Sequence, residues 1–232
     1  MQVEIWSDVV CPWCAIGRRR FGTALERFAH ADEVTVRWRS FELDPGAPRE
    51  REGDLAVHLA EKYGIGLEQA HGMHRQMTET AALDGLEFRF DRARGGNTFD
   101  AHRLLHLAGD RGIQDAVKDR LFRAYLTDGE PIGDHATLAR LGVEMGLDDA
   151  ADVLESDRYG AEVRADERQA QAYGITGVPF FVIDGRYGVS GAQPADTLLQ
   201  VLDQAWTESH PAPVLLPAGG PGETCADGTC AV

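Results

Sequence analysis

The chain has 232 residues, 43% of them hydrophobic, which is enough to bury a sizeable core in one domain carrying an insertion. Its 23 Lys and Arg against 38 Asp and Glu leave a net charge of −15, which repels nucleic acid and anionic membrane surfaces and favours a protein or small-thiol partner. No stretch approaches the length of a membrane span, and Gln2 to Trp6 already reads as folded structure with Glu4 breaking any leader-like apolar run, so cytoplasm is the expected compartment.

Met1 to Val10 carries Val3, Ile5, Trp6, Val9 and Val10 and is predicted to be a strand. Ala15 to His30 spaces Ile16, Phe21, Ala24, Leu25 and Phe28 at helical intervals. Between them stands Cys11-Pro12-Trp13-Cys14, a pair of thiols at a strand-to-helix junction. There Cys11 faces backbone N–H groups with no intrahelical partner and the positive end of the helix dipole, both of which favour a thiolate. Cys14, one turn further in, lies on the same helical face and can attack a mixed disulfide formed at Cys11. Cys11 is therefore expected to be the more acidic and more exposed thiol.

Glu33 to Leu43 alternates Val34, Val36 and Trp38 against Thr35, Arg37 and Arg39, a strand with one buried face. Strand, helix, strand implies a right-handed parallel crossover, and Asp44-Pro45-Gly46-Ala47-Pro48 ends it. From there to Tyr173 the pattern is almost wholly helical, with glycines suited to helix C-termini. Helices are predicted over 55–63, 67–83, 99–111, 114–126, 135–145, 149–155 and 158–173, with 86–90 as a brief extended piece. Ile175 to Ile183 resumes strand character, Asp184-Gly185 signals a hairpin, Arg186 to Ser190 returns, and Pro194 to Trp206 closes with a helix bearing Leu198, Leu199, Leu202 and Trp206. From Glu208 the chain is rich in proline and glycine, reads as a flexible tail, and carries a second pair, Cys225 and Cys230.

All four cysteines fall in these two pairs, which suggests redox use. A zinc-binding or chaperone module would need all four to converge on one ion. A purely structural disulfide fits a reducing cytoplasm poorly. His102 and His106, four apart, and His71 and His74, three apart, are spaced for two imidazoles on one helix face, yet no acidic or Cys ligand completes a recognisable set, and they are expected to be solvated or capping. Met73 and Met77 are expected in the core, and Arg18-Arg19-Arg20 on a solvated face. No metal and no cofactor is expected.

The assembled order is α/β: a thioredoxin fold, β-α-β then β-β-α, with an inserted all-helical domain. Residues 1–45 and 174–207 would form the thioredoxin-like domain, 46–173 the helical insertion domain, and 208–232 the tail. This arrangement resembles the DsbA family. Ser7-Asp8-Val9-Val10-Cys11-Pro12-Trp13-Cys14, Asn97-Thr98-Phe99-Asp100-Ala101-His102, and Gly177-Val178-Pro179-Phe180-Phe181-Val182 followed by Gly191-Ala192-Gln193 look like its FrnE-like branch. The resemblance spans residues 1 to about 207. It implies a thiol–disulfide oxidoreductase with Cys11 as attacking thiolate, Cys14 as resolving thiol, and Val178-Pro179 as a cis peptide packed against them.

Pro12, Trp13, Val178 and Pro179 are then the expected substrate-binding residues, and Cys225 and Cys230 an auxiliary redox pair. Protein disulfides and thiols, or glutathione, are the expected partners. The related kappa class of glutathione-dependent transferases and isomerases shares the inserted helices, but usually has Ser where this chain has Cys11 and Ser-Asp where it has Ala192-Gln193. The chain also has Ile5 where thioredoxin-like proteins often bury an acid for the proton of the second Cys, with Glu4 expected on the opposite face.

Overall fold

The computed structural model describes residues 1–51 and 53–211, and so does not extend to Cys225 and Cys230. Four strands, β1 (Gln2–Ser7), β2 (Thr35–Ser40), β3 (Phe180–Ile183) and β4 (Tyr187–Ser190), form one sheet in the order β2-β1-β3-β4. β1 runs parallel to β2 in a register from Gln2 opposite Thr35 to Ser7 opposite Ser40, and antiparallel to β3, which turns back into β4. That turn uses Asp184 and Gly185 with φ of 48° and 65°, the pair of positive values a two-residue hairpin demands and the reason for the Asp-Gly sequence.

Side chains alternate across β1 as the period of two requires. Val3 and Ile5, with Phe181 and Ile183, face α1 (Pro12–Arg27) and the closing helix, which contribute Phe21, Ala24, Leu198, Leu202 and Ala205. Trp6 and Val182 face the other way onto Ala170 and Ile175. Glu4 shares that second face, as expected, and is bonded there to Arg39, which also reaches Asp166 at 2.7 Å. Trp6 donates from Nε1 to the Asp166 carbonyl at 3.0 Å. One acidic residue of a helix thus ties down the second face of the sheet.

Between β2 and β3 lie α2 (Leu55–Tyr63), α3 (Leu67–Leu83), α4 (Phe99–Asp110), α5 (Gln114–Arg123), α6 (His135–Glu144), α7 (Ala150–Leu154) and α8 (Gly160–Ala172), and α9 (Ala195–Ser209) ends the fold. Asp54 and Asp134 cap α2 and α6 through their carboxylates, and Gly64 ends α2 in the left-handed conformation. Two sequence expectations shift. The helix predicted to run to Leu126 changes at Ala124 into a π-helical turn through Asp128, and 86–90 is irregular, not extended. The turn packs Ala124, Tyr125 and Leu126 inward, which a straight helix would not do for three successive residues. Among the described residues no helix is long and apolar enough to cross a membrane.

The two ends of α1 have different neighbours. Phe21 and Ala24 belong to the sheet's core, whereas Cys11, Cys14, Ala15 and Ile16 join the core of the helical segment with Leu104, Leu107, Leu121 and Phe122. The cysteine pair therefore sits where sheet and inserted helices meet.

Candidate active site

Cys11 is the N-cap residue of α1, with extended backbone angles, and Pro12 fills the first helical position, where a missing N–H costs nothing. The Cys11 sulfur accepts a hydrogen bond from the Cys14 backbone N–H at 3.2 Å. Its S–H donates to the Val178 carbonyl at 3.7 Å. The Val178-Pro179 peptide is cis, as the resemblance implies. Pro179 lies on α1 itself: a Cβ built on Gly17 would fall 2.9 Å from Pro179 Cγ, so glycine is what lets the loop approach the helix so closely.

Both cysteines are free thiols and both are buried, Cys11 at 4% exposure and Cys14 at 0%. Cys11 is the more exposed of the two, as expected. Burial pushes the Cys11 thiol up, and Cys14 and Asp8 add to this against the single pull of the Cys14 N–H. A helix start favours the thiolate, and here the burial of the sulfur opposes it.

Beneath the pair lies a polar cluster. Asp8 is 1% exposed; its Oδ2 accepts from the Leu43 N–H at 2.8 Å, and its Oδ1 is 3.4 Å from His102 Nε2. That contact is close enough for strong attraction but lacks hydrogen-bond geometry, so among the described residues Oδ1 and both His102 ring nitrogens are without a hydrogen-bond partner. Burial opposes the Asp8 charge, yet His102, the Leu43 N–H and Lys118 outweigh it and hold the carboxyl below its ordinary value. For His102 burial wins over Asp8, and the imidazole is held below 6.5. His106 is also buried, 3.2 Å from both Ser40 Oγ and Asp166. The expectation of solvated or capping histidines fails for both, because a helix packed on all sides presents even its polar positions to the interior.

The His102 shift has a thermodynamic consequence. As pH falls below about 6.5 the unfolded chain takes up a proton at this residue before the folded one does, so stability drops with falling pH. Glu42 works in the opposite sense: burial, helped by Glu167 and opposed by Arg164, raises it to about 7, so its contribution is lost as pH rises through that value. Comparing wild type with His102→Gln cancels the Glu42 part. The difference in Tm between the two should widen in favour of the variant below pH 6.5; a constant difference from pH 5 to 8 contradicts a neutral, buried His102.

Beside Cys11 opens a pocket of about 460 Å³. Val10, Leu55, Met73, Met77, Phe90 and Tyr125 give it an apolar lining, Trp13 stands at 44% exposure at its edge, and Arg51 and Lys62 add positive charge. A larger cavity of about 820 Å³ shares Leu55, His74 and Phe90 with it but reaches neither cysteine. Met73 and Met77 line this pocket, and Met73 is exposed, against the expectation of a purely core role. Arg18 binds Asp115 and Asp119 of α5, and Arg20 binds Asp84, so the arginine run ties α1 to the inserted helices.

The geometry brings Cys11, Cys14, Pro12, Trp13 and Val178 to one place, with Pro179 immediately behind. Sequence reading missed Asp8, Tyr125 and Lys118 as neighbours of the site. The signal for the last was present: Lys118, Leu121, Phe122 and Tyr125 share one helical stripe, and three of the four are hydrophobic.

A family model described as DSBA-like thioredoxin domain matches residues 2–203. The structure is similar to the crystal structure of the probable DsbA oxidoreductase SCO1869 from Streptomyces coelicolor, with a TM-score of 0.86 and 45% identity over 100% of this chain and 99% of that one. The sequence is 27% identical over 200 residues to the uncharacterized protein YwbO of Bacillus subtilis, covering 84% of this chain and 92% of the relative. In fold it is also similar to the cytosolic disulfide reductase DsbM from Pseudomonas aeruginosa, with a TM-score of 0.64 and 20% identity over 90% and 100% of the two chains.

Proposed function

The chain belongs to the DSBA-like thioredoxin domain family, and from that premise we propose that it is a thiol–disulfide oxidoreductase that exchanges disulfides with protein or small-thiol partners, glutathione among them, through Cys11 and Cys14. The observation that carries this reading is the Cys11 sulfur, set between the Cys14 N–H and the Val178 carbonyl at the mouth of a pocket. Cys11 is the attacking thiol and Cys14 the resolving one. A substrate strand laid over Pro12 and Trp13 offers backbone N–H groups to the Val178 carbonyl, in the manner of an added β-strand. Taking that carbonyl removes the acceptor that favours the protonated Cys11, and the thiol is released to ionise where the disulfide arrives. Exchange then proceeds through a mixed disulfide at Cys11.

The kappa-type alternative needs no second thiol, and the zinc module needs Cys225 and Cys230, which lie outside the described residues, as does their proposed auxiliary redox role. One equilibrium separates these readings. Incubated with glutathione buffers of graded redox ratio, the protein should pass through a single two-electron transition, with Cys11 and Cys14 losing reactivity to alkylation together. Cysteines that stay reactive across the whole range, while the protein conjugates glutathione to an electrophile or retains tightly bound zinc, would sink the exchange reading.

A further inference from the structure

Two hydroxyls in the pocket beside Cys11 have nothing to bond. Thr98 stands at the N-cap of α4, where a threonine ordinarily accepts from the first turn, yet its side chain makes no capping bond, and Asn97 caps instead by accepting from the Phe99 N–H at 2.9 Å. Tyr125 is carried inward by the π-helical turn that follows α5, a kind of turn that often marks a functional position. The two residues are 3% and 6% exposed, and both line the pocket. Among the described residues neither hydroxyl has a hydrogen-bond partner. Neither is sealed off as Ser7 Oγ and the free Asp8 oxygen are, so both open onto the cavity they line. A buried hydroxyl left unbonded is costly, and this pair is suited to a ligand that bonds both.

We propose that this pocket is a subsite for a phenol: the side chain of a tyrosine that flanks the reacting cysteine of a protein substrate, with its ring against the apolar walls and its hydroxyl bonded to Tyr125 and Thr98. The inference rests on the exchange reading given above, since reaction at Cys11 is what brings the flanking residue to the pocket.

The lining selects such a group by shape and by charge. Val10, Leu55, Met77 and Phe90 give apolar walls, and a thioether sulfur is favourable company for an aromatic ring. A phenol both donates and accepts, whereas an indole only donates and an alkyl chain does neither. Burial, with Asp8 adding to it, keeps the Tyr125 hydroxyl protonated, so it can donate to the incoming oxygen, which donates in turn to Thr98. The charged residues that line the pocket favour a neutral tip. Arg51 and Asp44 pair with each other at 2.9 Å. Asp8 stays ionised and opposes a carboxylate at the floor, and Lys62, without a carboxylate partner among the described residues, opposes an ammonium on its way in.

The test is single turnover of the reduced protein with three peptide disulfides that differ only in the residue before the cysteine: Tyr-Cys, Phe-Cys and Ala-Cys. Phe-Cys should react roughly tenfold faster than Ala-Cys through burial of its ring, and Tyr-Cys about tenfold faster again through its hydrogen bonds. Tyr125→Phe combined with Thr98→Val removes two hydroxyls and little shape. It should bring Tyr-Cys level with Phe-Cys while both stay ahead of Ala-Cys, a split that a weakened fold would not produce. Equal rates for Tyr-Cys and Phe-Cys in the wild type, or a preference for Tyr-Cys that survives the double substitution, overturns the proposal. If the double variant does not fold, the wild-type comparison decides alone. A second readout needs no exchange: N-acetyltyrosinamide should shift the NMR signals of the Met73 and Met77 methyl groups, which line the pocket, at lower concentration than N-acetylphenylalaninamide does. If no peptide disulfide reacts and this preference is seen, the exchange reading fails and the phenol subsite stands. If the two amides act alike, or neither moves the methyl signals, the subsite is overturned.

Discussion

Cys11→Ser is expected to abolish disulfide exchange, and Cys14→Ser to convert the protein into a trap. Serine at position 11 keeps the N-cap of α1, because its hydroxyl can accept from the position-14 N–H as the sulfur does, so the helix start should survive. What is lost is the sulfur nucleophile itself. Turnover should fall by on the order of 10³-fold or more, since the covalent step has no other group to carry it. In Cys14→Ser the first step remains and the second is gone, so mixed disulfides through Cys11 should accumulate and be visible on non-reducing gels, releasable by added thiol. The buried position of Cys14 makes this asymmetry physical: a partner's sulfur can reach the side of Cys11 that faces the pocket, and Cys14 can be reached only by Cys11. Retained exchange in Cys11→Ser with total loss in Cys14→Ser would reverse the two roles.

The second large effect is expected at Gly133, far from either cysteine in sequence. A Cβ there would lie 1.8 Å from the Arg49 carbonyl oxygen, and one on Gly96 would lie 2.4 Å from the same atom. Three backbone segments meet at this point, around Arg49, Gly96 and Gly133. Arg51 donates its N–H to the Gly95 carbonyl at 2.9 Å, and the Asn97 N–H is shared between the carbonyls of Pro48 and Arg49. The obstacle to a methyl group is backbone held by hydrogen bonds, not the free end of a side chain, so the chain itself must move. Gly133→Ala should cost about 3 kcal/mol, the upper part of the range for overpacking. In a chain of this size each kcal/mol lowers Tm by ~2–4 °C. Because Arg51, Gly95 and Gly96 line the pocket beside Cys11, KM should rise as well. Gly22→Ala is the control: it sits within α1 with open space around its Cβ, and should be neutral or stabilising by up to ~1 kcal/mol. A Gly133→Ala protein that melts within a degree of wild type would show that the crossing yields easily.

Much of this was legible beforehand for reasons that act over a few residues. Helix period and glycine ends located α2 and α3 to the residue, and the Asp-Gly pair located the β3–β4 turn, because caps and positive φ are local demands. The cysteine spacing and its place at a strand-to-helix junction identified the reactive pair for the same reason. Strand ends were less legible: Ile175 to Pro179 looked like part of β3, but the ladder with β1 begins only at Phe180. Pairing needs a partner strand, and no local pattern reports where that partner stops.

The sequence by itself determined the order of elements, the buried faces of β1 and α1, and which two sulfurs sit one helical turn apart, since each follows from backbone period and side-chain polarity. Only the tertiary structure decided what surrounds those sulfurs. It buried Cys11 between the sheet and the inserted helices, which raises its thiol, set Asp8, His102 and Lys118 from three separate segments into one buried cluster, and brought Val178 from 167 residues away to accept a hydrogen bond from the Cys11 thiol. The free energy of a charge depends on how much water remains around it and on which other charges share its cavity, and both are properties of packing between distant segments.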